Sequence, residues 1–358
     1  MKYLSEKAAK LTPYVAGIQP QESGWVKLNT NENPYPPSPK VAEILAEADL
    51  ARLRLYPNSD SEALCHTLAD YWDIPASNVF VGNGSDEVLA FAFGAFFDSK
   101  DGVIMPDISY GFYPVWAELF DVGVDIRPVA ENFTINIAEY KNAAGVVIAN
   151  PNAPTGIALT LKEIEQIVQQ NPQGVVLVDE AYLDFSAEES AIILTEKYEN
   201  LLVVRTFSKS HSLAGLRVGY AVGHENLIDG LQRMKHSFNS YPLDMLAQIC
   251  ATASIKDKDY WDETRKQIIK TREQTSKALE ELGYHVLPSH TNFLLMQTKD
   301  AKGLYEYLLN CKILVRYWNK PRICNFLRVT VGTEKEMEAF LKCIKQYSIE
   351  QQKKQTSA

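Results

Sequence analysis

The chain has 358 residues, 46% apolar, 23% charged and 10% aromatic, with 18 tyrosines against 14 phenylalanines, the profile of a folded protein long enough for two domains with separate cores. Lys and Arg total 36 against 45 Asp and Glu, a formal charge of -9, and no stretch gathers five or six basic residues, so neither nucleic acid nor an anionic membrane is expected as a partner. The longest strongly apolar run, Val88 to Phe97, is too short for a bilayer, MKYLSEKAAK carries charges where a signal peptide needs apolar residues, and Cys65, Cys250, Cys311, Cys324 and Cys343 form no C-x-x-C pair; a cytoplasmic protein without a disulfide framework or a metal site is the expectation.

Residues 1–35 read as an irregular arm, ending in the proline-rich NPYPPSP at 33–39. Helical spacing begins at Ser38, a possible cap, with Pro39 suited to the first helical position and Val41, Ile44, Leu45 and Ala48 on one face. A second helix follows from about Ser61. Between 79 and 222, short Val/Ile-rich runs (VFV at 79, VIM at 103, VVIAN at 146, VVLVD at 175, LLVV at 201, GYAV at 219) alternate with helical segments. Strands without polar alternation are buried on both faces, and helices between them make the crossovers, so an α/β domain with a mostly parallel sheet is predicted over 36–245. Thr160 and Glu163 form a capping box for one of its helices.

After residue 245 the pattern changes to a long charged helix, about 259–282, then strands at 292–297, 313–316 and 326–331. A last helix starts at a second capping box, Thr333 and Glu336, and turns Met337, Phe340, Leu341 and Ile344 to one side. This predicts a smaller α+β domain over 246–358, its polar end at 351–358 fraying.

Several signatures are missing. Gly82-Asn83-Gly84-Ser85-Asp86-Glu87 follows a strand but lacks the third glycine of a dinucleotide fingerprint, and there is no G-x-x-x-x-G-K-[ST], H-E-x-x-H or G-x-S-x-G. What remains at Gly84 to Glu87 is a small-residue turn into a helix, whose backbone N–H groups and dipole suit an anion, most naturally a phosphate. An ordinary strand-to-helix turn capped by Ser85 or Asp86 would look the same. Asp179 ends a buried strand, where open α/β sheets place ligands and where a carboxylate could hold a proton on a ring nitrogen; a helix cap or ion pair is the plain alternative. Lys209 lies among hydroxyls, with Arg217 eight positions on, so an amine nucleophile could sit beside a second anion clamp. A lone loop lysine is usually a solvated surface group. These pieces gain weight together because all follow strands of one sheet.

The ordered motifs GSDE (84–87), NPNAPTG (150–156), VDEAY (178–182), RTFSK (205–209) and LAGLRVG (213–219) resemble the fold-type I aminotransferases that use pyridoxal phosphate, most closely the histidinol-phosphate aminotransferase family. LNTNENP at 28–34 and LRVTVGT at 327–333 extend the resemblance over nearly the whole chain. It implies that Lys209 forms the Schiff base with the cofactor aldehyde. Ser85 and Asp86 after Gly84, with Thr206, Ser208 and Arg217, would hold the phosphate; Asp179 would keep the pyridine nitrogen protonated; Tyr110 would stack on the ring; and Tyr182 would bond its phenolic oxygen. Tyr56 would reach the phosphate in a neighbouring subunit, which implies a homodimer. Tyr14, Arg316 and Arg328 would face the substrate. One departure stands out: the family's N-P-T-G asparagine is here Ala153, so either Asn152 or Asn150 substitutes, or Tyr182 bonds the phenolic oxygen alone.

The reaction implied is transfer of an amino group from a phosphorylated donor to 2-oxoglutarate, in two half-reactions. An aromatic-amino-acid aminotransferase and a threonine-phosphate decarboxylase share the motifs, since the bond that breaks is the one held perpendicular to the ring. A non-enzymatic regulator that binds pyridoxal phosphate is a remote alternative, because the chain is acidic and has no DNA-binding extension.

Overall fold

The computed structural model describes residues 3–98 and 102–356. A short strand, β1 (Val26–Lys27), lies within the arm. The large unit then contributes β2 (Val79–Asn83), β3 (Val103–Pro106), β4 (Val124–Arg127), β5 (Gly145–Ala149), β6 (Val175–Asp179), β7 (Leu201–Thr206) and β8 (Val218–Gly223). They form one seven-stranded sheet in the order β2-β8-β7-β6-β5-β3-β4. Neighbours are parallel from β7 to β4, whereas β8 runs antiparallel to both β2 and β7. The six strands expected from Val/Ile runs are all present. The seventh, β4, was not anticipated, because it is an exposed edge strand of sequence VDIR with too little apolar character to stand out.

Helices cover both faces, and two apolar cores result. One face packs Val81, Ile148, Val178, Val203 and Val222 against the helix Glu62–Trp72 and the helix Met245–Ile255. The other packs Phe80, Val147, Leu177, Val204 and Ala221 against the helix Gly84–Phe96. Since Ala247, Cys250, Ala251 and Ile255 sit in the first core, the large unit's packing continues past the expected boundary at 245. Both capping boxes are formed, Thr160 with Glu163 and Thr333 with Glu336.

The second unit follows the long helix Lys258–Glu281. It comprises β9 (His285–Val286), β10 (Phe293–Gln297), β11 (Ile313–Leu314), β12 (Arg316–Tyr317) and β13 (Phe326–Thr330). β12, β13, β10 and β9 make an antiparallel sheet, and β11 instead pairs in parallel with β1 of the arm. The stretch expected as one strand over 313–316 is thus two short ones serving different partners. Leu28 of the arm packs in this unit's core with Leu327, Val329, Phe340 and Ile344. The last helix runs from Glu334 to Thr356; where fraying was expected it remains helical, and Ser357 and Ala358 lie outside the described residues. Among the described residues no helix is long and apolar enough to cross a membrane.

Directly beneath the lysine loop lies a buried charge cluster. Arg205 on β7 donates to Glu180 at 2.9 Å and pairs with Asp184, which also accepts from Ser210; the Trp72 ring lies 5.1 Å from the guanidinium. Burial alone would raise the Asp184 pKa, but Arg205 beside it, with His211 and the Ser210 hydroxyl, holds it below the ordinary value. Removing one member leaves uncompensated charge in a low dielectric, at a cost of about 3–5 kcal/mol. Arg205→Met is therefore expected to lower stability by about that amount in urea unfolding, while Arg233→Met, whose partner Asp229 is solvent-exposed, is expected to leave the midpoint essentially unchanged.

Candidate active site

Strand direction explains where the chemistry gathers. β2 and β7 both lie antiparallel to β8, so they point the same way, and the C-terminal ends of β2, β3, β5, β6 and β7 share one edge with the start of β8. At that edge a cavity of about 960 Å³ opens between the two units and the arm. Of the residues proposed from sequence, Ser85, Asp86, Tyr110, Asp179, Tyr182, Thr206, Ser208, Lys209 and Arg217 line it, as do Tyr14 of the arm and Arg316 and Arg328 of the second unit.

The turn after β2 is built for close approach. Gly84 has φ +81°, and a Cβ there would come within 2.5 Å of an Arg217 guanidinium nitrogen. A Cβ on Gly219 would fall 2.2 Å from the Ser85 backbone nitrogen. Gly84 and Ser85 are the first two residues of the helix Gly84–Phe96 and have no side-chain cap, so their N–H groups are available. Arg217, itself at φ +53°, donates to Asp86 at 3.0 Å and to the Ser208 hydroxyl at 3.4 Å. Thr206 accepts from the Ser208 backbone N–H at 3.1 Å, which folds the loop back toward that cradle. The result is a cluster of backbone donors, hydroxyls and one guanidinium suited to a phosphate dianion.

Asp179 sits at the floor. Its Oδ2 accepts from the Tyr113 hydroxyl at 2.8 Å and its Oδ1 from the Ala181 N–H at 3.1 Å, and among the described residues it has no cationic side-chain partner. Burial pushes its pKa up to about 6, opposed by those two donors and reinforced by Asp86 and Glu180. A buried carboxylate surrounded by neutral donors is a ready partner for a cationic ring nitrogen. The Lys209 amine donates to the Thr30 carbonyl at 3.3 Å and lies 5.5 Å from the Tyr182 ring centroid. The Tyr110 hydroxyl donates to Asp86 at 2.8 Å, and burial first, then the Asp86 charge, pushes its pKa far up, so it remains a neutral phenol.

The second unit's part of the lining is cationic. Arg316 donates to the carbonyls of Val15 (3.1 Å) and Ala16 (3.5 Å) of the arm, and Arg328 to that of Asn29 (2.8 Å). Trp318 lies between them, 5.4 Å from one guanidinium and 5.2 Å from the other. Arg328 Nε is buried without a partner. Burial is also the main cause that lowers the Arg328 pKa. Tyr14 stacks on Phe112 at 4.3 Å.

One sequence expectation lands elsewhere. Asn152 does not line the cavity: its amide is spent on the Ile108 carbonyl (2.9 Å), Thr155 (3.1 Å) and Ser109 (2.7 Å), an arrangement that holds the loop instead. Asn150 is likewise committed, both ways, to the backbone of Leu159. Tyr56 lies outside the cavity of its own chain, 82% exposed and stacked on Tyr241 at 4.6 Å. Asn31, Tyr113 and Trp318 were assigned no role from sequence. Asn31 stands inside the LNTNENP motif, which could have flagged it; Tyr113 and Trp318 carry no local signal.

The sequence profile described as aminotransferase class I and II matches residues 23–344. The chain is 49% identical over 346 residues to the histidinol-phosphate aminotransferase of Brachyspira hyodysenteriae, covering 96% of this chain and 98% of that one. The chain belongs to the histidinol-phosphate aminotransferase family of class I and II aminotransferases. Its fold is shared with the histidinol-phosphate aminotransferase of Sinorhizobium meliloti, solved in complex with pyridoxal-5'-phosphate (TM-score 0.88, 20% identity, 98% of both chains). It is shared too with the L-threonine-O-3-phosphate decarboxylase of Porphyromonas gingivalis (TM-score 0.79, 23% identity, 90% of this chain and 98% of that one). The fold of this aminotransferase family therefore does not by itself select the reaction.

The raised Asp179 pKa has a measurable sign. The folded, cofactor-free protein binds this proton more tightly than the unfolded chain, so its stability falls as pH rises from the ordinary 3.8 through about 6. Relative to Asp179→Asn, which lacks the titration, the cofactor-free wild type is expected to lose up to about 3 kcal/mol of unfolding free energy between pH 4 and pH 7. Parallel stability curves for the two proteins would contradict this.

Proposed function

We propose that the protein is a pyridoxal-phosphate-dependent histidinol-phosphate:2-oxoglutarate aminotransferase. The choice of donor is carried by the 49% identity to a histidinol-phosphate aminotransferase over nearly the whole of both chains, and Arg316 and Arg328, which line the same cavity as Lys209, agree with it. Guanidinium forks suit phosphate and carboxylate alike, and the acceptor 2-oxoglutarate carries two carboxylates. The residues fit the cofactor. The Gly84–Ser85 turn, which a Cβ at Gly84 or Gly219 would fill, would hold its phosphate with Thr206, Ser208 and Arg217. Asp179 would face its ring nitrogen, Tyr110 its ring and Tyr182 its phenolic oxygen, and Lys209 would hold its aldehyde carbon.

When bound, the cofactor supplies an aldehyde that condenses with amines and a protonated ring that draws electrons from the attached carbon. With the cofactor bound, the Lys209 amine would take the proton from the donor's Cα and hold it for return. Asp179, buried and anionic once it faces a cation, keeps the ring nitrogen protonated. Arg316, Arg328 and Tyr14 grip the donor's far end and so fix which Cα bond lies perpendicular to the ring. That grip is where transamination and decarboxylation part, and it is also what separates a phosphorylated donor from an aromatic amino acid.

We also propose that the active form is a homodimer in which Tyr56 serves the partner's phosphate site. Tyr56, Leu50, Leu53, Leu55 and Phe238 are all more than half exposed, an apolar surface of the kind that subunit contact covers. All five cysteines are free thiols, which supports a reducing compartment such as the cytoplasm.

A donor panel tests the reading: histidinol phosphate is expected to convert the bound aldehyde to its amine form, seen as loss of visible absorbance. Conversion by phenylalanine alone would favour the aromatic enzyme, and release of carbon dioxide from threonine phosphate the decarboxylase. Lys209→Ala is expected to abolish turnover. Mixing Tyr56→Phe with Lys209→Ala subunits should recover activity in hybrids if the site is shared; no recovery would count against Tyr56 acting across the dimer.

A further inference from the structure

We propose that Asn31 is a positioning residue for the cofactor's phenolic oxygen, acting through Tyr182, and that it supplies from the arm the amide this chain lacks at Ala153. The inference rests on pyridoxal phosphate being the cofactor. Ala153 lines the cavity, but its methyl group can donate nothing. The neighbouring asparagines cannot substitute, since Asn152 and Asn150 are fully engaged by Ile108, Thr155, Ser109 and Leu159. The side-chain amide that does reach the site is that of Asn31, which lines the cavity and donates from Nδ2 to the Tyr182 hydroxyl at 2.9 Å.

The surrounding hydrogen bonds give this contact a direction. Thr330 Oγ1 accepts the Asn31 backbone N–H at 2.9 Å, which leaves the threonine's own hydrogen for Asn31 Oδ1 at 3.1 Å. Reversing the Asn31 amide would set its NH2 against a hydroxyl that already accepts, and would leave the threonine hydrogen without an acceptor. Nδ2 therefore faces Tyr182. A donor on the phenol oxygen turns the phenol's own hydrogen away from Asn31, and the cavity is the open side. Tyr182 is thus preset as a donor, the polarity needed to bond an anionic phenolic oxygen.

Asn31 is held well enough to do this. It is 1% exposed, its backbone is in the left-handed region (φ +56°), which asparagine tolerates, and its carbonyl accepts from Asn292 Nδ2 at 3.0 Å. Thr330 ends β13 and Tyr182 follows β6, so one asparagine of the arm ties the substrate-side sheet to the cofactor-side sheet.

The test reads the bound cofactor rather than turnover. In the substrate-free holoenzyme, the pH midpoint of the visible absorbance change reports how strongly the cofactor's phenolic oxygen shares its proton. Losing a preset donor leaves that oxygen more basic. Asn31→Ala and the isosteric Asn31→Asp are expected to raise the midpoint by roughly half a unit to one unit, the scale of one hydrogen bond. Thr330→Val, which keeps the shape but frees the Asn31 amide to turn, is expected to shift it the same way by less. In a Tyr182→Phe background, Asn31→Ala should add nothing. An unchanged midpoint in Asn31→Ala and Asn31→Asp, or a full further shift in the Tyr182→Phe background, would overturn the inference while leaving the cofactor assignment intact. Wild-type protein with no visible absorbance that borohydride abolishes would overturn both.

Discussion

A carboxylate buried at the end of a strand, with a phenol and one backbone N–H as its only donors among the described residues, is the constraint around which this molecule is arranged. Asp179 is costly to keep ionised where it is, and a cation placed beside it, as the proposed function requires, would offset that cost. The glycine turn after β2, the arginine before β8, Tyr110 and Tyr182 stand at the same edge, where in the proposed function they would hold and flank the cofactor. The lysine loop is anchored from below through Ser210, Asp184 and Arg205. That anchoring uses charge in the protein interior, which adds little net stability but penalises any rearrangement of the loop.

The topology makes this convergence inexpensive. With β8 inserted antiparallel between β2 and β7, the Gly219 Cα stands against the Ser85 backbone. A single missing side chain thus lets a helix N-terminus, the lysine loop and Arg217 meet at one spot. The arm closes the opposite side: β1 pairs with β11, Arg316 and Arg328 clasp arm carbonyls, and Asn31 reaches the cofactor wall. The arm therefore contacts both the cofactor side and the substrate side of the cavity.

Much of this could be read from the sequence because the signals are local. Buried parallel strands announce themselves as uninterrupted Val/Ile runs, capping boxes as T-x-x-E, and the functional residues as short motifs placed directly after strands. Where the reading fell short, the deciding interaction is nonlocal. β4 is an edge strand with polar residues and no apolar signature. The helix Met245–Ile255 looks like the start of a new unit, yet Cys250 and Ala251 complete the first core. By sequence, Asn152 is the nearest substitute for the amide missing at Ala153, but its hydrogen bonds go to Ile108 and Thr155. The amide that reaches Tyr182 comes from a residue 151 positions away in sequence, a pairing that no spacing rule could supply.

The central claim is that Asp179 exists to hold a proton on the cofactor's ring nitrogen. Nitrogen-15 magnetic resonance of ring-labelled pyridoxal phosphate bound to the protein tests it most directly. The account predicts a protonated ring nitrogen in the wild type at neutral pH and an unprotonated one in Asp179→Asn. The same nitrogen resonance in both proteins would contradict it.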